Sequence, residues 1–156
     1  MENEKLVYRK ATTVDVKPVH KMIAAAAAED LMLPRSLSDL YEKLRDFHVC
    51  TNAEQVLGCC ALHIVWENIA EIRSLAVEPE AQGAGIGKHL IDKCIAECAA
   101  LNVNRVIVLT YIPAYFAKMG FVEVSKEMLP HKIWSECVKC PKFPDCGEIA
   151  MALDLT

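Results

Sequence analysis

Several features that would assign this chain to a common class are missing from it. No apolar stretch reaches the roughly eighteen residues that a membrane-spanning helix needs. The N-terminal MENEKLVYRK is charged and has no apolar core of a signal peptide. No run of Lys and Arg occurs and the formal net charge is -4, so nothing in the sequence suits nucleic acid or an anionic membrane. We therefore expect a cytoplasmic protein whose partners are small molecules.

The chain also lacks an internal repeat and a low-complexity linker. Its 156 residues, 53% of them hydrophobic, are enough for one well-buried core and few for two. We predict a single domain over residues 1–156. The eight cysteines are expected to be reduced thiols that pack like small apolar side chains, because disulfides are rare in cytoplasmic proteins.

Glycine is scarce, yet three of the six glycines fall within five residues of the stretch VEPEAQGAGIGKHLIDKC at 77–94. The spacing does not match the G-x-G-x-x-G of a dinucleotide fold, and Lys88 is followed by His89 rather than by the Ser or Thr of a P-loop. Successive backbone N–H groups that glycine frees at the start of a helix nevertheless suit a phosphate or pyrophosphate. The stretch therefore predicts an anion-binding loop.

Hydrophobic periodicity and turn residues predict strands that alternate with helices, the pattern of an α/β (α+β) fold. Strands are predicted at 6–9, 48–51, 56–66, 71–77, 105–110 and 148–155, and helices at 14–29, 37–47, 88–101 and 115–119. Thr12 or Thr13 is the expected cap of the first helix, and Ser36 with Asp39 forms a capping-box pattern before the second. The segment 125–147 is expected to be irregular.

Two motifs resemble those of the GNAT N-acetyltransferases. SLAVEPEAQGAGIGKHLI resembles the family's acetyl-coenzyme A motif, a strand, then Q/R-x-x-G-x-G/A, then a helix, with Gln82, Gly85 and Gly87 at the motif positions. AYFAKMGF resembles the second motif, a short helix that ends in Gly-Phe. Together with the element order, the resemblance covers essentially the whole chain. It implies the GNAT fold, a central mixed twisted sheet of about six to seven strands flanked by about four helices.

The resemblance implies acetyl-CoA as cosubstrate, and no metal is expected. In GNAT proteins the loop amides hold the pyrophosphate of coenzyme A, and pantetheine pairs with the splayed strand before the loop. Leu75 and Val77 occupy the pairing positions. The implied coenzyme A-binding residues are Leu75, Ala76, Val77, Gln82, Gly83, Ala84, Gly85, Ile86, Gly87, Lys88 and Phe116.

Further stretches resemble the acetyltransferase domain of bacterial N-acetylglutamate synthases, which are amino-acid N-acetyltransferases. These are LPRSLSDLYEKLRDF, EIRSLAV, LPHKIW and EIAMALDL, and without an amino-acid kinase domain the chain resembles the short, stand-alone type. The implied reaction is acetyl transfer to the α-amino group of L-glutamate, the first step of arginine biosynthesis. The two carboxylates of glutamate need cationic partners. The candidate substrate-binding residues are Arg35, Ser36, Arg73 and Lys132.

Each of these cations also has a simpler interpretation. Arg35 precedes a predicted helix and could be a solvated residue at its entry, although Arg35-Ser36 matches a glutamate-binding pair of the resembling synthases. Arg73 lies in an otherwise apolar strand and could pair with Glu71. Lys132 lies in a predicted loop, where solvation is at least as good an explanation.

The resemblance implies direct attack by the amine on the thioester, with no acyl-enzyme. It places a general base at Glu71, four residues before Leu75, whose backbone N–H would hold the thioester oxygen. The period of two along a strand predicts that the side chains of Glu71, Arg73 and Leu75 share one face.

The general acid departs from the family pattern. The usual tyrosine, four residues before the Gly-Phe glycine, is replaced by Phe116. Tyr115 or Tyr111 could substitute, or coenzyme A could leave as a thiolate. The departure leaves open a non-catalytic regulator that binds acetyl-CoA, and a third possibility is an acetyltransferase for another amine, such as a polyamine or a protein N-terminus.

The cysteines at 137, 140 and 146 form one more pattern, with His131 upstream. Three thiols and an imidazole could hold zinc, but a lone C-x2-C without a second pair is a weak signal, and we favour packing of reduced thiols. The sequence leaves the oligomeric state open, and a homodimer is one possibility.

Overall fold

The computed structural model describes residues 5–53, 55–130 and 147–155. The chain forms two compact units. The first contains the residues up to Leu62 and the segment Ile72–Glu97, and the second contains His63–Glu71 and the residues from Cys98 onward. The long strands β3 and β4 contribute residues to both units.

Over these described residues the chain has a mixed α/β fold of seven strands and four α-helices, as the sequence predicted. The strands are β1 Leu6–Lys10, β2 Phe47–Asn52, β3 Gln55–Trp66, β4 Ile69–Val77, β5 Arg105–Thr110, β6 Val122–Glu123 and β7 Ile149–Asp154. The helices are α1 Val16–Ala28, α2 Leu37–Glu42, α3 Ile86–Ala100 and α4 Pro113–Ala117. None of the helices in the described part of the chain is long and apolar enough to cross a bilayer.

Strand pairing within each unit is largely antiparallel. In the first unit the strand order is β1-β2-β3-β4, and β2 pairs antiparallel with both β1 and β3. The ladder between β2 and β3 shifts register between Cys50 and Thr51. In the second unit the order is β5-β7-β6, with β7 antiparallel to both neighbours.

The core of the first unit joins one face of α1 to the sheet. Val16, Val19 and Ile23 recur at helical spacing and are at most 3% exposed. They belong to a cluster with α2 and the strands. Its other buried members are Met22, Leu40, Phe47, Val49, Val56, Cys59, Ala61 and Ala76.

The helix α3 buries the face that its sequence predicted. Leu90, Ile91, Cys94 and Cys98 are fully buried, and Ile95 is half-buried. In the second unit a smaller cluster joins β5 and β7 to the tip of the β3–β4 hairpin. Its buried members are Val65, Ile107, Leu129, Ala150 and Ala152.

The cysteines that the structure describes are packed thiols, as predicted. The free cysteines among them are all buried, and the Sγ atoms of Cys60 and Cys94 lie 3.7 Å apart. Burial raises the pKa of the Cys59 thiol to about 12. The cysteines at 137, 140 and 146 and His131, which raised the question of zinc, lie outside the described residues.

The prediction of a second helix that reaches residue 47 is wrong at its C-terminal end. The helix α2 stops at Glu42, a short 3-10 turn follows at Leu44–Asp46, and Phe47 begins β2 opposite Ala61. The apolar spacing up to Phe47 is helical, but burial of this ring at 2% exposure and strand pairing outweigh the local pattern. The other predicted elements agree with the observed ones to within about two residues at each end.

A buried carboxylate fixes the entry to α1. Asp15 is 3% exposed, and its carboxylate accepts hydrogen bonds from Arg9 Nη1 at 2.7 Å and Nη2 at 2.9 Å. It also accepts from the backbone N–H of Thr12 at 2.7 Å. The hydrogen bonds from Arg9 hold the pKa of Asp15 below its usual value against the opposing effect of burial. The pair joins β1 to the start of the first helix.

We expect Asp15→Asn to lower the free energy of unfolding by about 2 kcal/mol at neutral pH, because it removes a charge-assisted bidentate pair. Because the pKa of Asp15 is lower in the folded state than in the unfolded state, where it is near 3.9, the ionised carboxylate stabilises the fold at any pH above the unfolded-state value. This stability is lost as the pH falls through the folded-state pKa. The difference between wild type and variant should therefore hold from about pH 7 to 5 and shrink below about pH 4. Urea unfolding across this range measures it.

Asp154→Asn is the matched control. Asp154 forms a similar pair with Arg105, with Nε to Oδ1 at 2.8 Å, but at the surface. Its loss should change stability far less. Equal losses for the two variants would show that the burial of Asp15 adds nothing.

Candidate active site

The glycine loop leads from β4 into the first turn of α3. The backbone N–H of Glu78 bonds the carbonyl of Leu57 at 2.8 Å, and a 3-10 turn at Pro79–Ala81 reverses the chain. Gly83 and Gly85 then adopt positive φ angles of 90° and 81°. The loop is exposed, and the helix that follows is fifteen residues long. The backbone N–H groups of this exposed loop therefore lie at the positive end of a helix, a place that suits a pyrophosphate.

Conformation rather than space requires these glycines. A Cβ on Gly83 would meet nothing within 4 Å, and one on Gly85 would meet only the ring of His89 at 3.7 Å. A side chain would fit at both positions, but it would strain the left-handed backbone. The left-handed glycines are compatible with an anion-binding loop, and anion binding by this loop stays a prediction.

Two side chains hold the ends of the loop. Gln82 Nε2 donates to the carbonyl of Val77 at 3.1 Å. The carbonyl of Gly85 accepts from the backbone N–H of His89 at 3.1 Å and from its Nδ1 at 2.8 Å. The imidazole also packs against Tyr8, with ring centroids 5.4 Å apart. No role was assigned to His89 from the sequence, and the i, i+4 spacing of His89 from Gly85 was the signal that could have found this contact.

Lys88, a predicted coenzyme A residue, is largely solvated. Its Nζ lies 3.4 Å from Asp92, and both side chains are more than half exposed. An exposed i, i+4 pair of this kind stabilises a helix by only a few tenths of a kcal/mol, so Lys88 can leave it at little cost.

The strand β4 contains an irregularity that the sequence did not reveal. Ser74 has a φ of 55°, in the left-handed region that residues other than glycine rarely adopt. One such residue inside a strand shifts the alternation of side chains, as in a β-bulge. We therefore expect the period of two to be disturbed at Ser74, between Arg73 and Leu75.

Arg35 is the centre of a polar cluster next to this irregularity. Its Nε donates to Asp39 Oδ2 at 2.7 Å, and its Nη1 donates to Ser74 Oγ at 3.0 Å. The guanidinium carbon lies 5.3 Å from the centroid of the Phe47 ring. The side chain is only 13% exposed, so this arginine is not a freely solvated residue at a helix entry.

The carboxylate of Asp39 is the anion of the cluster. Burial would raise its pKa, but the hydrogen bonds and charges of Arg35 and Lys43 outweigh that effect and hold the pKa below its usual value. Asp39 also joins the helix cap, because its backbone N–H donates to Ser36 Oγ at 3.0 Å. The hydroxyl of Ser36, a predicted substrate ligand, thus already accepts a bond as the N-cap of α2.

The predicted residues of β4 are divided between the two units, and Lys132 is not described. Arg73 and Leu75 are half-buried in β4, in the first unit. Glu71 is 6% exposed and belongs to the second unit. Lys132 lies outside the described residues.

Two aromatic residues of α4 were predicted site residues, Tyr115 as a candidate acid and Phe116 as a coenzyme A contact. Phe116 is 3% exposed and packs edge-on against Phe121, with ring centroids 5.4 Å apart. Tyr115 is half-buried and meets Phe116 edge-on at the same separation. Within the second unit Phe116 is thus a core residue.

Comparison with known proteins decides the family. Residues 20–121 match the model of the Acetyltransferase (GNAT) family. The chain belongs to the GNAT family. It is 42% identical over 147 residues to an uncharacterized N-acetyltransferase of Chlorobaculum tepidum, which covers 94% of this chain and 95% of that protein. It is 35% identical over 153 residues to an amino-acid acetyltransferase of Mycobacterium tuberculosis, over 96% of this chain and 85% of the relative.

Solved structures confirm the GNAT fold. The crystal structure of Rv2747 from M. tuberculosis, in complex with CoA and NLQ, superposes with a TM-score of 0.82 at 30% identity, over 96% of this chain and 99% of that one. The N-acetylglutamate synthase of Neisseria gonorrhoeae, complexed with coenzyme A and N-acetyl-glutamate, gives a TM-score of 0.90 at 23% identity. It covers 97% of this chain and 35% of the longer synthase, and this likeness shows the fold alone.

The GNAT chain is therefore an acetyl-CoA-dependent N-acetyltransferase, and a non-catalytic regulator is not supported. The loop suits the cosubstrate, because a pyrophosphate needs backbone N–H donors and the exposed, left-handed glycines before α3 leave such donors accessible.

We expect Gly85→Ala to weaken acetyl-CoA binding about tenfold in this GNAT protein. Forcing a Cβ into the left-handed region costs about 1–2 kcal/mol, and a loop that relaxes to avoid this cost turns its N–H groups away. Calorimetric titration with coenzyme A measures the change.

Gly120→Ala is the control, because Gly120 has a φ of 97° but lies in the second unit, after α4. It should lower the melting temperature without a selective loss of coenzyme A affinity. Similar losses of affinity in both variants would argue against a specific role of the loop.

Proposed function

We propose that this enzyme transfers the acetyl group of acetyl-CoA to the α-amino group of L-glutamate, the first step toward arginine, and that residues 1–156 act as one GNAT domain. The observation that carries the proposal is Arg35. Its guanidinium is largely withdrawn from water and is held by Asp39, Ser74 and Phe47, although a solvated cation would need none of these contacts. Such fixation is what a recognition site for a carboxylate requires.

The fixed guanidinium keeps donors for a ligand. A guanidinium has five N–H groups, and among the described residues the bonds of Arg35 to Asp39 and Ser74 use two of them. A carboxylate of the substrate can therefore accept a bidentate pair of hydrogen bonds from the guanidinium without displacing Asp39.

The relatives support an amino acid as the acceptor. A relative at 35% identity over 96% of this chain is named amino-acid acetyltransferase. Glutamate has a second carboxylate, which we assign to Arg73 or Lys132. An acceptor without carboxylates, such as a polyamine, would leave Arg35 without a ligand.

The proposed chemistry is direct attack by the free amine. Bound acetyl-CoA supplies an acetyl group activated as a thioester. Glu71, buried in β4, removes a proton from the substrate ammonium, directly or through a water. The backbone N–H of Leu75 stabilises the oxyanion that develops. Tyr115 is our candidate to protonate the leaving thiolate, because Phe116 has no acidic group.

The acceptor is tested by thiol release from acetyl-CoA with a panel of amines. We expect faster turnover with L-glutamate than with L-aspartate, L-glutamine or spermidine. Arg35→Ala should raise the KM for glutamate about tenfold to a hundredfold and leave the KM for acetyl-CoA nearly unchanged, because a lost charge-assisted bond costs roughly 1.5–3 kcal/mol.

Arg45→Ala is the matched control, since Arg45 is an exposed arginine in the 3-10 turn that follows α2. It should leave both KM values unchanged. Preferred turnover of spermidine would overturn the glutamate assignment. Equal rises in both KM values of Arg35→Ala would indicate a damaged fold.

The role of Glu71 is tested by Glu71→Gln. We expect kcat near neutral pH to fall roughly a hundredfold or more, because the amide cannot accept the proton. Part of the loss should return at high pH, where free amine is abundant without a base. Coenzyme A binding should persist. The pH profile of kcat measures the effect.

Glu67→Gln is the control, because Glu67 is exposed in the turn between β3 and β4. It should have the wild-type profile. If Glu71→Gln also has wild-type kcat at pH 7, Glu71 is a structural partner and not the base.

A further inference from the structure

Ser74 combines a strained backbone with a hydroxyl that accepts a hydrogen bond from Arg35. It is one of four residues other than glycine with positive φ in the described part of the chain, and the other three, Asp30, Ala53 and Asn102, lie outside helices and strands. Ser74 alone of these four lies inside a strand, directly before Leu75. Strain of this kind persists only where the surroundings hold it.

Two contacts hold Ser74 in the first unit. Its Oγ accepts from Arg35 Nη1 at 3.0 Å, and its carbonyl oxygen accepts from Cys59 Sγ at 3.4 Å. Cys59 is fully buried in β3, so it anchors the backbone of Ser74 to the core. The hydroxyl therefore links the core of the unit to the guanidinium.

The strain and the hydroxyl can be separated. Glycine would adopt the left-handed conformation with less strain than serine, so the backbone alone does not explain a serine at this position. What serine adds is an acceptor for the guanidinium. Asp39 fixes Arg35 at Nε only, and one bond leaves the planar group free to swing about that end. The second bond, from Nη1 to Ser74, fixes the direction of the fork.

We propose that Ser74 is a positioning residue that sets the orientation of the Arg35 guanidinium for the acceptor carboxylate. Ser74 acts through Arg35. The proposal rests on the proposed function only for the identity of the carboxylate. Because Ser74 precedes Leu75 in β4, the same residue would connect the carboxylate site to the backbone N–H that we propose for the thioester oxygen. Selectivity for a carboxylate would thus depend on a side chain that does not touch the acceptor.

The test compares Ser74→Ala with Ser74→Gly in the full-length protein. Both remove the hydroxyl, and the glycine variant also relieves the backbone. We expect both to raise the KM for L-glutamate about tenfold, with kcat and the KM for acetyl-CoA within about twofold of wild type. Ser125→Ala, which removes the hydroxyl that caps a 3-10 turn in the second unit, should leave all three values unchanged.

A second measurement does not depend on turnover. In 15N-labelled protein, the Nε–H resonance of Arg35, assigned by its loss in Arg35→Ala, should shift or broaden in both Ser74 variants and remain in place in Ser125→Ala. An unchanged resonance would overturn the proposal even if glutamate proves not to be the acceptor. So would a wild-type glutamate KM in Ser74→Gly, because that variant lacks the hydroxyl to which the proposal assigns the effect.

Discussion

The close approach of α3 to β3 is the constraint on which the site in the first unit depends. At Gly58 a Cβ would lie 2.9 Å from Ile86 Cγ2, 3.1 Å from Leu90 Cδ1 and 3.3 Å from the carbonyl of Ala76. Only a residue without a side chain lets the first turn of α3 pack this closely on the strand. Since the glycine loop ends where α3 begins, Gly58 determines where the loop presents its N–H groups.

The cluster around Arg35 solves a different problem, that of keeping a guanidinium ready for an anion in a partly buried place. A buried cation without a partner is costly, and a tight pair with a single carboxylate would leave it little affinity for another anion. Here Asp39 supplies the charge and shares it with Lys43, while Ser74 and Phe47 supply contacts that carry no charge. The arginine is held without being fully neutralised.

Local features of the fold could be predicted from the sequence, and contacts between distant segments could not. The glycine loop and the buried face of α3 were predictable because each depends on residues within one short, continuous stretch of sequence. Phe47 was assigned to a helix because its strand partner, Ala61, is known only once the sheet has formed. The positive φ of Ser74 has no signature in the periodicity of its strand. The bond between Ser74 and Arg35 joins positions 39 residues apart, and a local sequence pattern does not predict such a contact.

The buried cysteines give the first unit a resistance to electrophiles. A thiol reacts as its thiolate, and burial raises the pKa of Cys59 to about 12 and that of Cys60 well above its usual value. At neutral pH these sulfurs are both protonated and shielded from solvent while the unit is closed. Alkylation of Cys59 or Cys60 would therefore proceed only through opened molecules, and its rate would report how often the core around the sheet and α3 opens.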